Sequence, residues 1–349
     1  MPAAPVFLRA LQGERAESVN FLKKGSCEVS AWYNKKRNGG IGLNDTLAQL
    51  NHRRERIMAV TLLGYTLIVL GVLLLFSSVS FGILTGIVGG GLILAINLTE
   101  KPKYVRAYKN QIVLAVLREM FEDVHLNLDT GFNQEWVEDA HFIPTGNRFF
   151  SDDQISGSCR GCLFRRSDVL TQQVTHTGKT TTVTTLFEGP WMVFEFPKSF
   201  GHYLLVREKE FLSNGKPGGW FSGLKTERIA MESEEFNEKF EVYAEDEHEA
   251  FYLLTPQFME KLEQAEREIA GRMYYGFFDH EFHVAVDNRQ NSFEPPVFTP
   301  ITPAQLEEIR TEARLVCELI DLLHLAGREG GQRPKPEARN VKNKRISFQ

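Results

Sequence analysis

The sequence predicts an α+β protein: a two-helix transmembrane hairpin followed by a cytoplasmic antiparallel-sheet domain with flanking helices. Three observations predict it. No Asp, Glu, Lys or Arg stands between Arg56 and Glu100. Beyond residue 149 the chain turns to short runs rich in Thr, Val and Phe, separated by turn residues. Helical stretches with recognisable starts stand among these runs without alternating strictly with them, which argues for an antiparallel sheet.

The uncharged run Ile57–Leu98 would extend ~63 Å as a single helix, twice the ~30 Å of a hydrocarbon core. One tilted span cannot absorb that length. Two spans can, at 57–76 and 81–98, broken at the polar cluster Ser77-Ser78-Val79-Ser80. Arg53, Arg54 and Arg56 precede the first span, and Lys101, Lys103, Arg106 and Lys109 follow the second. Positive flanks stay inside, so the N- and C-termini are expected in the cytoplasm and the turn outside. The expected location is a membrane crossed twice, with the lipid bilayer as first partner. A run that starts this far into the chain is not a cleaved signal. The competing readings are a buried hairpin of a soluble protein and a re-entrant hairpin. Gly82, Gly86 and Gly90 recur every fourth residue and let helix backbones approach closely. They suit packing within the hairpin, or a face for a homo-oligomer or another membrane protein. Neither span carries an ionisable residue, which argues against a pump or pore.

Residues 1–56 form an N-terminal cytoplasmic segment, with the basic cluster Lys35-Lys36-Arg37 before Asn38-Gly39-Gly40 and a short helix from Asn44. Pro102 is placed to open an amphipathic helix that carries Val105, Tyr108, Ile112, Val116, Met120 and Val124 at helical spacing. Within the domain 100–327, Thr177-Gly178-Lys179-Thr180 reads as a hairpin turn between Thr- and Val-rich strands. "WMVFEF", "HYLLVRE", "KFEVYA" and "EAFYLLT" read as further strands, with a loop at 213–220 and an acidic turn at Glu245-Asp246-Glu247-His248. Thr255-Pro256 opens a helix to about Ala270, with Thr as N-cap. "MYYGFF" and "EFHVAV" form a hairpin around Asp279-His280. Thr302-Pro303-Ala304-Gln305 is a capping box, followed by Leu306, Ile309, Ala313, Val316, Ile320 and Leu323 on one helical face. The tail 328–349 reads as disordered and basic. A pleckstrin-homology-like half-barrel is one form such a sheet can take.

Charge is segregated: net +5 over 1–56, zero over 57–99, −15 over 100–327 and +5 over 328–349. An acidic body excludes nucleic acid as a natural partner, and basic ends suit an anionic membrane surface. Four cysteines are too few for a disulfide scaffold.

Cys159-Arg160-Gly161-Cys162 is the candidate thiol or metal pair, with His176 as a further candidate ligand. Residues three apart on a strand face opposite ways, so one metal takes both thiolates only if Arg160-Gly161 is a tight turn. Ordinary cysteines are the plain alternative. Asp279, Glu281 and His283 fall on one face of the late strand, with His280 on the other; a divalent cation or a solvated face both fit them. Glu245, Asp246, Glu247 and Glu249 form a candidate partner surface, or simply a solvated turn. No P-loop, Rossmann glycine pattern or nucleophile elbow occurs, so no catalytic residue and no cofactor is expected.

"FEGPWMVFEFPKSF", "KFEVYAEDEHEAFYLLTPQFMEKLEQ" and "NSFEPPVF" resemble a bacterial two-span membrane family, domain of unknown function 3137, over roughly residues 50–325. The resemblance implies an N-terminal segment, a two-span hairpin and a cytoplasmic α+β domain. It brings no catalytic residues, and it implies a LemA-like membrane protein as a partner. The expected role is a membrane-anchored binding or adaptor module. The alternative is a membrane-bound enzyme or a metal or thiol protein built on the Cys159–Cys162 region.

Overall fold

The computed structural model describes residues 43–196, 200–209, 225–323 and 325. The segment to residue 42, the loop expected at 213–220 and the basic tail 328–349 lie outside the described residues. The chain divides into two compact units: one runs to Glu119 and includes Phe293–Glu312, the other holds Met120–Ser292 and the chain from Ala313.

The first unit is built on two long helices, α1 (Leu43–Leu74) and α2 (Val79–Tyr108), which part at Ser77-Ser78. Both are long and apolar enough to cross a membrane, and protein covers little of either. Their buried positions recur every seventh residue: Ile57, Gly64 and Gly71 on α1, and Gly82, Gly89 and Ile96 on α2. That period belongs to helices wound left-handedly around each other. Glycine is required at the seam. A Cβ on Gly71 would lie 2.8 Å from the carbonyl of Gly82 and 2.8 Å from the amide of Gly86, and one on Gly64 would lie 2.5 Å from Ile93 Cγ1.

The helix does not restart at Pro102, as the sequence suggests; Pro102 lies inside α2. Its ring removes one backbone donor, and a helix well formed on both sides absorbs that loss. The helical path continues through a π-turn at Lys109–Val113 into α3 (Leu114–Met120). The π-turn inserts an extra residue and carries Lys109, Ile112 and Val113 into buried positions. Lys109 there pairs with Glu294 at 2.6 Å. Tyr104 donates to the carbonyl of Pro296, and the side-chain amide of Asn51 holds both the N–H and the C=O of Ile301.

The second unit is a nine-stranded, fully antiparallel sheet. Its strands are β1 (Glu122–Asn127), β2 (Arg148–Cys159), β3 (Cys162–Thr177), β4 (Thr180–Glu195), β5 (Leu204–Glu208), β6 (Glu227–Ile229), β7 (Phe240–Ala244), β8 (Arg272–Phe278) and β9 (Glu281–Asp287). Their spatial order is β1-β2-β3-β4-β9-β8-β5-β7-β6. The sheet is open, with β1 and β6 as its edges, and this strand order does not show a half-barrel of the pleckstrin-homology kind. The helix expected to carry Val124 ends at Met120, and Glu122–Asn127 is an edge strand.

Two hairpins turn on residue pairs in the left-handed region: Arg160-Gly161 (φ 53° and 78°) and Asp279-His280 (φ 54° and 61°). Turns of that hand match the twist of the strands they join. "EAFYLLT" is not a strand. It lies in α6 (Glu247–Leu253), because Asp246 caps that helix by accepting from Glu249 N and acidic residues fill its first turn.

Apolar side chains cover both faces of the sheet. One face carries Trp191, Val193, Leu205, Tyr274 and Ala285 against Phe132, Val137, Phe142 and Ile143, supplied by the segment around α4 (Gln134–Asp139). The other carries Phe277 and Phe282 against Phe258 of α7 (Pro256–Glu268). Each such aromatic contributes on the order of 1.5–3 kcal/mol by leaving water. Helix α5 (Glu234–Lys239) packs near α7, and α8 (Pro303–Leu322) begins where Gln305 accepts from Thr302 N at 3.0 Å, as its capping box predicts.

Candidate functional site

In an antiparallel pair, residues directly opposite one another share a face. The register therefore lays one row across the sheet: His125, Ser156, Arg165, Val193, His283, Gly276 and Leu205. Val193, His283 and Leu205 are sealed beneath the α4 segment. His125 is exposed, and Ser156 and Arg165 are half-buried. The cover ends at Trp136, whose ring lies 6.0 Å from the Arg165 guanidinium.

Beyond that point the face opens into a trough of two adjoining clefts. One, of about 650 Å³, crosses β1, β2, β3 and β4 and includes Asp123, Gly157, Leu163 and Glu195. The other, of about 630 Å³, is bounded by Phe200–Tyr203 and Glu245. They share Arg165, Asp279, His280 and Glu281. Arg165 bridges to Glu281 at 2.6 Å on the shared wall.

Carboxylates hold the far wall in place. Both oxygens of Glu249 accept backbone amides, from Gly201 and His202 at 2.8 Å, and Glu245 accepts from Tyr203 N at 2.9 Å. Of the acidic residues that the sequence offers as a partner surface, Glu249 and the exposed Glu245 thus tie down this loop and Asp246 caps α6, while Glu247 is exposed.

The late-strand candidates separate. Glu281 faces the trough, and Asp279 lies in the turn beside it. His283 is fully buried, stacked on Phe278 at 3.7 Å between ring centroids. Its Nδ1 accepts from Trp191 Nε1 at 3.3 Å, leaving Nε2–H to donate to Phe278 O. Burial holds this imidazole well below the usual histidine range.

The cysteines pair differently from the spacing. Arg160-Gly161 is the tight turn, so Cys159 and Cys162 face each other across β2 and β3. Cys159, however, is bonded to Cys317 of α8, and Arg160 forms an ion pair with Asp321 one helical turn further on. Cys162 is a free, buried thiol that burial pushes up to about 12. His176 stands at the opposite end of β3 from Cys162, about 46 Å away at the rise of a strand, with its Nδ1 on Thr181 Oγ1. The three do not converge, and no group of three His, Cys, Asp or Glu suited to a metal ion occurs among the described residues.

On α2, Gly82 sits in the seam with α1 and the Gly86 backbone lies against Gly71, whereas Cβ atoms added at Gly86 and Gly90 would point away from that contact and meet nothing.

Asp123, Arg165, Glu195 and Cys317 join the site only in the folded chain. Local patterns do not reveal them, because each is defined by strand or helix neighbours distant in the chain.

Fold and trough together define a protein with two membrane-compatible apolar helices and an open antiparallel α+β domain. The profile of a family described as "Protein of unknown function (DUF3137)" matches residues 185–325, a narrower stretch than the resemblance covers. No curated protein and no solved structure matches the chain.

Proposed function

We propose that this chain is a membrane-anchored binding module of a bacterial inner membrane, with the sheet unit in the cytoplasm. One observation carries the reading: a sheet face sealed by aromatic side chains over its middle lies open at one end as a trough, in a chain that also carries an apolar hairpin. Basic residues flank both apolar helices, which supports the orientation. A LemA-like membrane protein or a second copy of the chain are the partners this reading favours. A cysteine at Ser78 is expected to react with an impermeant maleimide in intact cells while Cys27 does not. Labelling of Cys27 would refute the orientation.

A second reading, a thiol protein, draws support from the convergence of Cys159, Cys317 and Cys162 at one hairpin end. Alkylation and intact mass of the protein taken from reducing and oxidising cells tests it. An unchanged thiol count would remove it.

A further inference from the structure

The trough has a floor and a rim of different chemistry. On the floor, Leu163 is 59% exposed and Gly157 presents no side chain. A lone exposed leucine is ordinary on a convex surface; this one lies in a concavity, beside the part of the face that the α4 segment seals. The rim holds Asp123, Glu195, Asp279, Glu281 and Glu245 against a single guanidinium, Arg165, already paired with Glu281. Asp123, Glu195 and Asp279 make no ion pair among the described residues.

We infer that this trough receives a basic, partly apolar segment of a partner protein, lying across the strands. The inference rests on the binding-module reading and names the chemistry of the partner. An apolar side chain seated on Leu163 supplies the desolvated anchor that carries most interface energy. Lys and Arg of the same segment meet the rim carboxylates, which set orientation and speed association. From β1 to β9 the trough crosses four strand spacings, ~19 Å, room for about six extended residues. An anionic lipid surface or a nucleic acid would meet the same carboxylates as repulsion.

The test uses the full chain in nanodiscs of zwitterionic lipid and fluorescent peptides alternating Leu with Lys, Glu or Ser. The Leu-Lys peptide is expected to bind with one-to-one stoichiometry. Glu195→Lys with Asp279→Lys should weaken it by about tenfold or more, some 1.4 kcal/mol. Glu234→Lys with Glu260→Lys, on exposed positions of α5 and α7, should leave it unchanged. The inference is overturned if the Leu-Glu peptide binds as well, or if the remote pair weakens binding equally. Binding of the Leu-Ser peptide that depends on Leu163 but not on the carboxylates would retain the module reading and discard the basic partner. Failure of all three peptides would count against both.

Discussion

The indole of Trp191 donates to Nδ1 of His283, and this bond fixes the tautomer of a fully buried imidazole. With Nδ1 as acceptor, the remaining ring proton is on Nε2, where Phe278 O receives it. A second proton would have to displace the Trp191 bond inside an aromatic cage.

Stability should therefore fall in acid. The unfolded histidine binds a proton near pH ~6.5, whereas the folded one resists it. Protons favour the unfolded chain, so the contribution is complete above that pH and declines below it, by up to about 1.4 kcal/mol per pH unit. Urea melts across this range should show the slope, and His283→Gln should abolish it while lowering stability at neutral pH.

Glu208 should act with the opposite sign. Burial pushes its carboxyl up to about 7, and its Oε1 accepts from Met273 N at 2.8 Å. A folded value above the unfolded one gives stability that is complete below about pH 4.3 and lost as pH rises through 7. Glu208→Gln keeps the acceptor without the charge, so its melting temperature relative to the parent should rise between about pH 4.3 and 7 and level off above neutrality. A difference that does not vary with pH would refute the assignment.

Loss of the Cys159–Cys317 bond, by reduction or as Cys317→Ala, should cost about 2–5 kcal/mol in urea titration. Cys162 should resist maleimide throughout, because its thiol is buried and stays protonated at neutral pH. Rapid labelling of Cys162 in the folded protein would contradict its placement.

The glycines of the hairpin should divide by seam rather than by spacing. Gly71→Ala and Gly82→Ala force a methyl into backbone at 2.8 Å and should destabilise the hairpin by about 1–3 kcal/mol. Gly86→Ala and Gly90→Ala add a methyl to open space and should change it by less than about 0.5 kcal/mol. Steric trapping of the hairpin in bicelles would rank the four.

These glycines also show how far sequence reading reaches. The uncharged run and its serine break were legible, because lack of charge and a polar cluster are local properties. A spacing of four caught Gly82 but missed the sevenfold seam, since winding of one helix about another changes which residues meet. Turns at Gly178 and Asp279-His280 and caps at Thr255 and Thr302 were legible for the same local reason. "EAFYLLT" was misread because its aromatic and apolar look outweighed the cap at Asp246. The trough was not legible: Glu195 meets Glu281, and Arg165 meets Val193, only once β3, β4 and β9 are in register.

Once formed, a step that a reducing cytoplasm opposes, the bond between Cys159 and Cys317 closes a ring of nearly half the chain. A protease that cuts once inside that ring opens a loop without freeing a fragment, because the C-terminal piece stays bonded to the piece that carries α1 and α2. The two pieces part only when the sulfur bridge is reduced. On a gel, nicked protein would run as one band without reductant and as two with it.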